Sequence, residues 1–110
     1  MQGMVINQVE WDNISWIPKA YKKGFASFSQ HKKPHIWFAA QTEYEKVFWT
    51  LGVGKLLFLS AEHARLCSVF TLPQFRGMGV ARAITEKRER VARAKGAKKI
   101  STIADASLDY

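Results

Sequence analysis

The sequence contains few of the residues that mark secreted, membrane-spanning or metal-binding proteins. Its one cysteine, Cys67, excludes an internal disulfide and favours a reducing, cytoplasmic location. The three histidines lack the spacing of a metal site, so no bound metal is expected. The longest nearly apolar run, residues 47–61, contains Lys55 and two glycines and is shorter than the roughly 20 residues of a membrane helix. The N-terminal residues show no basic start followed by an apolar block, so we expect no secretion signal and no membrane partner.

The composition is that of a globular protein with a hydrophobic core. The chain has 110 residues, of which 47% are hydrophobic and 13% are aromatic. This length allows one domain, residues 1–110, and leaves no room for a second. The apolar content argues against disorder.

The chain alternates strand-like and helix-like patterns. Apolar spacings of three and four residues predict helices over 14–30 and 80–95, and Pro18 and Gly24 favour a division of the first into two short helices. Residues 105–110 have the pattern of the start of a further helix. Alternation and a high content of β-branched and aromatic residues predict five strands, at 4–11, 35–41, 46–60, 64–72 and 98–104.

The predicted strands form a mixed sheet. The three runs between residues 35 and 72 are separated only by short polar turns, which predicts an antiparallel meander. Gly52 and Gly54 mark either a bulge in the second run or a turn that divides it. Residues 98–104 follow a whole helix and are therefore expected to pair in parallel with 64–72. The predicted fold class is α/β, with a mixed, mainly antiparallel sheet and flanking helices.

The net charge of +8 is concentrated on the second helix and its exit. Residues 76–99 contain nine of the 17 lysines and arginines but only two of the nine acids, Glu86 and Glu89. Pairs from Glu86 to Arg90 and from Glu89 to Arg93 would neutralise two of these cations. The surplus is either a solvated helix face or a surface for an anionic partner, cofactor phosphates or nucleic acid. The four tryptophans are interpreted as core or edge-of-core residues, since a base-stacking platform would need them exposed beside the basic face.

The sequence LPQFRGMG, residues 72–79, joins the fourth predicted strand to the second helix and is typical of a phosphate-binding loop. Backbone N–H groups and the dipole at a helix start favour an anion, and glycine lets it approach the main chain. The Gly-Lys-Ser/Thr of a Walker loop is absent. The dinucleotide fingerprint begins with Gly77 and Gly79 and has Asp105 as a candidate ribose ligand. However, Arg82 occupies its third small position, and no later strands remain for such a sheet. A simple turn into a helix is the remaining alternative.

The segment from residue 69 to 104 resembles the acyl-CoA-binding segment of the GCN5-related N-acetyltransferase (GNAT) superfamily. The family motif Gln/Arg-x-x-Gly-x-Gly/Ala appears here as Arg76-Gly77-Met78-Gly79-Val80-Ala81. Leu72-Pro73 at the end of a strand and the A-x-x-x-G of Ala92–Gly96 also match. The resemblance is good over residues 64–104 and is architectural before them. It implies the GNAT fold and an acyl-CoA cofactor, most simply acetyl-CoA.

The resemblance also implies which groups hold the cofactor. Backbone N–H groups of the loop would bind the pyrophosphate, and the strand pair 64–72 and 98–104 would splay to receive the pantetheine arm. Main-chain groups at the end of the fourth strand would pair with that arm, and Arg82 or a later cation would face the 3′-phosphate. The implied cofactor-binding residues are Phe70, Thr71, Leu72, Arg76, Gly77, Met78, Gly79, Val80, Ala81 and Arg82.

Acyl transfer to an amine needs a base for the amine proton and an acid for the leaving thiolate. Many family members use a carboxylate on or near the strand before the loop, but that strand has none here, which leaves Glu62 and His63 as candidate bases or as turn residues. Ser68 is a further catalytic candidate on the strand, and Cys67 is either an acylated nucleophile or a core residue. The acid in the family is frequently a tyrosine on the helix after the last strand predicted here. Tyr110 lies in about that region.

The sequence ends before the helix and two strands that usually complete the family's sheet. It therefore predicts a GNAT-like domain without these C-terminal elements, and an open edge at 98–104 that favours a homo-oligomer. The predicted function is acyl-CoA-dependent N-acyl transfer, most simply N-acetyl transfer, to an amine. The basic surface predicts nucleic acid, or a molecule bound to it, as acceptor or docking partner. The alternative is a non-catalytic module that keeps the fold and binds nucleic acid or assembles.

Overall fold

The computed structural model describes residues 3–21 and 33–102, which contain five strands in one sheet. The strands lie side by side in chain order, as β1 (Val5–Val9), β2 (His35–Tyr44), β3 (Val47–Phe58), β4 (His63–Thr71) and β5 (Lys99–Thr102). The helices are α1 (Trp11–Ile14), α2 (Trp16–Ala20) and α3 (Val80–Ala94), with a 3-10 turn at Pro73–Phe75. Strands β1 to β4 pair antiparallel, and β5 pairs with β4 in parallel. The predicted mixed, mainly antiparallel α/β fold is confirmed.

The ends of the elements differ from the predicted ones. α2 lies in the first part of the predicted helix 14–30, whereas α1 begins at Trp11, the last residue of the predicted strand 4–11, and ends at Ile14. The part of the predicted helix beyond Tyr21 lies outside the described residues. The last two residues of the predicted strand 98–104 and the predicted helix start at 105–110 also lie outside them. Among the helices of the described segments, none is long and apolar enough to cross a membrane.

The third strand is continuous, so the glycines do not divide it. β3 runs through Gly52 and Gly54 from Val47 to Phe58. Its register shifts after Ala40 of β2, and again against β4 between Val53 and Lys55. These shifts are bulges, in which one strand has an extra residue. Of the two alternatives for the glycines, the bulge is confirmed and the turn is excluded.

The same glycines allow α3 to approach the sheet closely. A Cβ on Gly52 would lie 2.8 Å from Val80 Cγ1, and one on Gly54 would lie 2.6 Å from Ile84 Cγ2. Both distances are shorter than a carbon–carbon contact allows. A side chain at either position would therefore move α3 away from β3.

The two faces of the sheet carry separate cores because successive strand residues point to opposite sides. The α1 face, covered by α1 and α2, has a core of Ile14, Ile17, Trp37, Ala39, Val53, Phe70 and Leu72. The α3 face has cores formed by Phe38, Ala40, Leu51, Leu56, Ala64, Leu66, Val80, Ile84, Ala92 and Ala97. Each large side chain buried in this way contributes about 1.5–3 kcal/mol before entropy is counted.

The tryptophans do not all belong to these cores. Trp37 is buried, and the half-buried Trp11 packs against it with ring centroids 5.2 Å apart. Trp16 and Trp49 are 43% and 52% exposed. For these two, the prediction of a core or edge-of-core position is wrong.

The described part of β5 pairs with β4 over a short stretch. His63–Leu66 of β4 lie beside Lys99–Thr102 of β5, whereas β4 continues to Thr71. β4 thus extends five residues beyond its last pair with the described part of β5. This extension leads directly to the glycine-containing loop.

Candidate active site

The loop at residues 72–79 connects the end of β4 to the start of α3. The Leu72 N–H donates to the Leu51 carbonyl oxygen at 2.9 Å, so the loop begins at the sheet. Gly77 and Gly79 have φ of 81° and 80°, a conformation that strains any residue with a side chain. A Cβ on either would meet no atom within 4 Å. The loop therefore needs glycine for its backbone, and space lies open beside its main chain.

Helix α3 begins with unused backbone donors. Its N-cap is Gly79, and the first intrahelical bond runs from the Ala83 N–H to the Gly79 oxygen at 3.0 Å. The N–H groups of Val80, Ala81 and Arg82 consequently have no acceptor within the helix. This first turn carries no acidic residue that could occupy them. Together with the helix dipole, these donors form a site for an anion.

Two arginines flank this anion site in different ways. Arg76 Nε donates to the Thr71 carbonyl oxygen at 3.3 Å, and its guanidinium lies 5.8 Å from the Phe70 ring centroid. The side chain of Arg82 is 85% exposed, with Nε 3.6 Å from Glu86 Oε1. An exposed pair of this kind contributes little to stability, so Arg82 can exchange Glu86 for a bound phosphate at small cost. Its predicted contact with the 3′-phosphate stays a prediction.

The predicted cofactor-binding residues of β4 offer their main chain and not their side chains. Phe70 and Leu72 are buried in the core of the α1 face, and Thr71 between them is half-buried. Met78 is exposed at the tip of the loop. The structure thus brings the predicted residues 70–82 together at one end of β4.

The β4 bulge lies just before these residues and is held by a buried arginine. Lys55 pairs with Cys67 and Val53 pairs with Phe70, so β4 has one residue more than β3 between the two pairs. Arg88 of α3 donates from Nη1 to the carbonyl oxygens of Lys55 and Cys67, at 3.0 and 3.1 Å. One side chain therefore joins β3, β4 and α3 where the bulge interrupts the ladder.

Sequence reasoning missed this role of Arg88, which is only 3% exposed. The prediction that assigned Arg88 to the basic surface is wrong. The spacing offered a signal, because Arg88 lies four residues after Ile84 and four before Ala92, both of which are buried. The signal was masked by the neighbouring cations.

A second buried cation, Lys55, lies on the opposite face of the sheet. Its side chain is fully buried, with Nζ 5.0 Å from the centroid of the Trp37 ring. Burial lowers the pKa of Lys55 below its usual value, and a smaller electrostatic effect of Cys67 acts in the other direction. The sequence pattern around Lys55 did not predict that its side chain would be fully buried against the ring of Trp37.

The predicted base Glu62 lies at the end of β4 that is remote from the loop. Its carboxylate lies 3.4 Å from Lys98 Nζ, and its carbonyl oxygen accepts from the N–H groups of Lys98 and Lys99 at 2.8 and 3.0 Å. His63 Nε2 lies 3.0 Å from Ser101 Oγ, which links β4 to β5. These contacts fit the turn role that was the alternative for Glu62, whereas His63 is the first residue of β4 and pairs with Lys99 of β5. Their role as a base stays a prediction without support from this geometry.

The other catalytic candidates are less defined by the structure. Cys67 is buried, at 8% exposure, in agreement with its alternative as a core residue. Tyr110 lies outside the described residues, as does the side chain of Ser68. Their catalytic roles stay predictions.

The basic surface of residues 76–99 is exposed apart from Arg88 and the half-buried Lys87. Within the described chain, neither predicted helix pair forms, and Glu86 lies beside Arg82 instead of Arg90. The exposed cations of this surface are Arg76, Arg82, Arg90, Arg93, Lys95, Lys98 and Lys99.

Comparison with known proteins identifies the family that shares this architecture. The model of the acetyltransferase (GNAT) family matches residues 6–109. No curated protein matches the chain by sequence.

The fold is similar to solved acetyltransferases of low sequence identity. A putative acetyl transferase from Pyrococcus furiosus has 19% identity and a TM-score of 0.74, over 96% of this chain and 85% of that one. An acetyltransferase from Trypanosoma brucei has 12% identity and a TM-score of 0.70, over 93% and 83%. An aminoglycoside N-acetyltransferase in complex with CoA has 17% identity and a TM-score of 0.66, over 93% and 77%. These likenesses show the fold, and they confirm the predicted GNAT-like architecture.

Proposed function

Because the chain belongs to the acetyltransferase (GNAT) family, we propose that it transfers an acyl group from acyl-CoA, bound at the loop of residues 72–79, to an acceptor amine. The predicted enzyme class and the predicted acyl-CoA cofactor are confirmed at the level of the family. Our proposal for this chain concerns which of its residues bind the cofactor and which take part in the transfer.

One observation supports this proposal above the others, namely the open cradle at the start of α3. Gly77 and Gly79 present backbone with no side chain, and a Cβ on either would project into free space. The unused N–H groups of residues 80–82 lie beside this space. A diphosphate fits such a site because it carries negative charge and several acceptor oxygens. The residues present therefore fit the phosphates of a CoA cofactor.

The bulged end of β4 supplies the second part of the site. Bound acyl-CoA supplies an activated acyl thioester, and the protein must orient its arm against the sheet. β4 continues past its last pair with the described part of β5 to Thr71 and leads directly to the cradle, which places the main chain at its end beside the arm of the cofactor. Arg88 fixes the start of this segment through the Cys67 carbonyl oxygen. The bulge turns main-chain groups of β4 away from the regular ladder of strand pairs. A main-chain N–H there can donate a hydrogen bond to the thioester carbonyl oxygen of the acyl-CoA and so polarise it.

Calorimetric titration with acetyl-CoA tests the cradle through Ala81, the second residue of α3. Ala81→Asp places a carboxylate where the phosphates bind, and Ala81→Asn is its neutral control of equal size. We expect Ala81→Asp to weaken binding at least tenfold and Ala81→Asn to weaken it much less. Because an acid at a helix N-terminus stabilises the helix, the aspartate variant should fold normally. Equal affinity of the two variants and the wild type, or no binding by the wild type, would refute the proposed site.

For the acceptor, we propose nucleic acid or a molecule bound to it, on the basis of the exposed cations of residues 82–99. Such a surface binds phosphates and releases counterions, so the affinity should fall steeply with salt concentration. Titration of duplex DNA and of tRNA at several salt concentrations measures this slope. Arg90→Gln should reduce the slope by about one unit, and Lys19→Gln on α2 should leave it unchanged. A slope near zero would exclude a nucleic-acid partner and leave the acyl-transfer proposal intact.

A further inference from the structure

The hairpin formed by β2 and β3 extends beyond both neighbouring strands. Pairing of β1 with β2 begins at Val5 and Gln41, and pairing of β3 with β4 ends at Gly52 and Thr71. Residues 42–50 therefore extend past the paired strands of the described sheet. In the described structure this segment carries four large exposed apolar side chains, Tyr44, Val47, Phe48 and Trp49. Exposed apolar residues grouped in this way are typical of a binding surface.

Strand alternation places Trp49 on the same face as α3. Ala40 of β2 packs with Val80 in the core beneath the start of α3. Thr42, two residues further on, shares that face, and Trp49 is its partner on β3. The next pair on this face is Tyr44 with Val47. Because Trp49 pairs with Thr42, two residues beyond Ala40, it lies about 7 Å further along the sheet than Ala40. Ala40 itself lies in the core beneath Val80, the first residue of α3.

Trp49 therefore adjoins the cradle at the N-terminus of α3. The cradle includes Val80, whose side chain lies beside Gly52 of β3, three residues after Trp49 in the same strand. An exposed indole beside an anion site can bind a planar base attached to the anion, because a base has an apolar π face that stacks on an aromatic ring. Adenosine is attached in this way to the diphosphate of CoA.

We propose that Trp49, flanked by Tyr44, forms an adenine-binding platform for the acyl-CoA whose phosphates bind at residues 76–82. This inference rests on the proposed function and adds a specificity-determining residue outside the family motif. The platform discriminates CoA thioesters from thioesters that lack the nucleotide. It also explains why the hairpin keeps an indole half-exposed instead of a polar side chain.

Two other occupants of the hairpin fit the observations less well. A stable dimer buries about 800 Å² on each partner. Four side chains on two opposite faces of a narrow hairpin provide less. An anionic membrane surface is disfavoured by Glu43 and Glu45, which accompany the aromatic residues at the tip with only Lys46 as a cation.

The chain offers a matched control in Phe48, which is 60% exposed and pairs with Glu43. Phe48 adjoins Trp49, so alternation places it on the opposite face, away from α3. The experiment is calorimetric titration of the wild type, Trp49→Ala, Trp49→Phe and Phe48→Ala. Each protein is titrated with acetyl-CoA and with S-acetyl-4′-phosphopantetheine, which keeps the arm and one phosphate but has no adenosine.

We expect Trp49→Ala to bind acetyl-CoA roughly tenfold more weakly, the loss of one stacked base. Trp49→Phe should recover most of the affinity, and Phe48→Ala should match the wild type. S-acetyl-4′-phosphopantetheine should bind wild type and Trp49→Ala equally, because it has no base to lose. Size-exclusion chromatography should give the same elution volume for all four proteins.

The inference is overturned if Trp49→Ala binds acetyl-CoA like the wild type or like Phe48→Ala. It is also overturned if both ligands lose affinity equally, or if only the oligomeric state changes, which would assign the hairpin to self-association. In each of these results the wild type still binds acetyl-CoA, and the proposed function is unaffected. Absence of acetyl-CoA binding by the wild type would refute both.

Discussion

Arg88 Nη1 lies 3.1 Å from the carbonyl oxygen of Cys67, and this hydrogen bond ties the middle of α3 to the bulged segment of β4. The same nitrogen donates to the Lys55 carbonyl oxygen at 3.0 Å, while Nη2 donates to Thr85 Oγ1 within the helix. The strand that leads to the loop of residues 72–79 and the helix that follows this loop are thereby held by one buried side chain. The positions of the loop and of the bulge are therefore coupled through Arg88.

Replacement of Arg88 by methionine should destabilise the fold and weaken acyl-CoA binding. The change leaves two buried carbonyl oxygens without their donor, at a cost of about 1–3 kcal/mol. Urea denaturation measures the loss, and calorimetry with acetyl-CoA measures the effect on the site. Arg90→Met, at an exposed position of the same helix, should change stability by about 0.5 kcal/mol or less. Equal stability of the two variants would contradict the assigned role.

Alanine at either glycine of β3 should destabilise the protein, and the two variants should differ in how much they weaken cofactor binding. A Cβ on Gly52 would lie 2.8 Å from the Phe70 carbonyl oxygen, whereas one on Gly54 would meet the Ile84 side chain at 2.6 Å. Overpacking of this kind costs about 1–3 kcal/mol. Gly52→Ala must move the main chain of Phe70 and should weaken acetyl-CoA binding more than Gly54→Ala does, as measured by calorimetry on the folded variants. The reverse order would argue against main-chain binding at this end of β4.

The buried Lys55 should make stability depend on pH in the alkaline range. Burial lowers its pKa in the folded state, so the folded protein binds this proton more weakly than the unfolded chain. The destabilisation is complete below the lowered pKa and disappears as pH rises toward the ordinary value of lysine. Lys55→Met should therefore be more stable than the wild type near pH 7, and the difference should shrink as pH rises.

Denaturation at several pH values checks this prediction, with Lys19→Met at an exposed position of α2 as the control. The control should differ little from the wild type at every pH. A stability difference for Lys55→Met that grows with pH would have the opposite sign and would contradict the assigned environment.

The turn of the β2–β3 hairpin should be improved by glycine. Glu45 and Lys46 form a two-residue loop between the paired Tyr44 and Val47, and both have positive φ, at 51° and 65°. Such turns favour glycine at the second position. Lys46→Gly should raise the free energy of unfolding by about 0.5–1 kcal/mol, as measured by thermal denaturation. Lys19→Gly, within α2, should lower it by a similar amount. A loss of stability in Lys46→Gly would show that the turn is held by its side chains.

Local patterns in the sequence predicted the strands and the glycine-containing loop because each depends on neighbours in the chain. The left-handed glycines, the strand before them and the helix after them are specified within about 20 residues. The sequence did not decide whether β3 is continuous, because a glycine pair is compatible with a bulge and with a turn. Only the helix above it decided the question, since Gly52 and Gly54 leave the space that Val80 and Ile84 occupy.

The burial of individual side chains could not be predicted in the same way. Arg88 belongs to a run of cations, and its burial depends on two carbonyl oxygens from strands 21 and 33 residues away. Trp49 was assigned to the core by its type, yet it lies where the hairpin extends past the sheet. The exposure of a side chain depends on which distant segments of the chain pack against it, and a local sequence pattern does not predict this.

The sequence by itself determined the order of the elements, the glycine conformations of the loop and the family, since these follow from short-range propensity and a contiguous motif. The tertiary structure alone decided that Arg88 holds the bulge, that Glu62 lies at the far end of β4 and that Trp49 is exposed on the β2–β3 hairpin. Each of these depends on register and on the packing of α3 against the sheet. Register and packing arise from contacts between distant segments, and so they become defined only when the chain has folded.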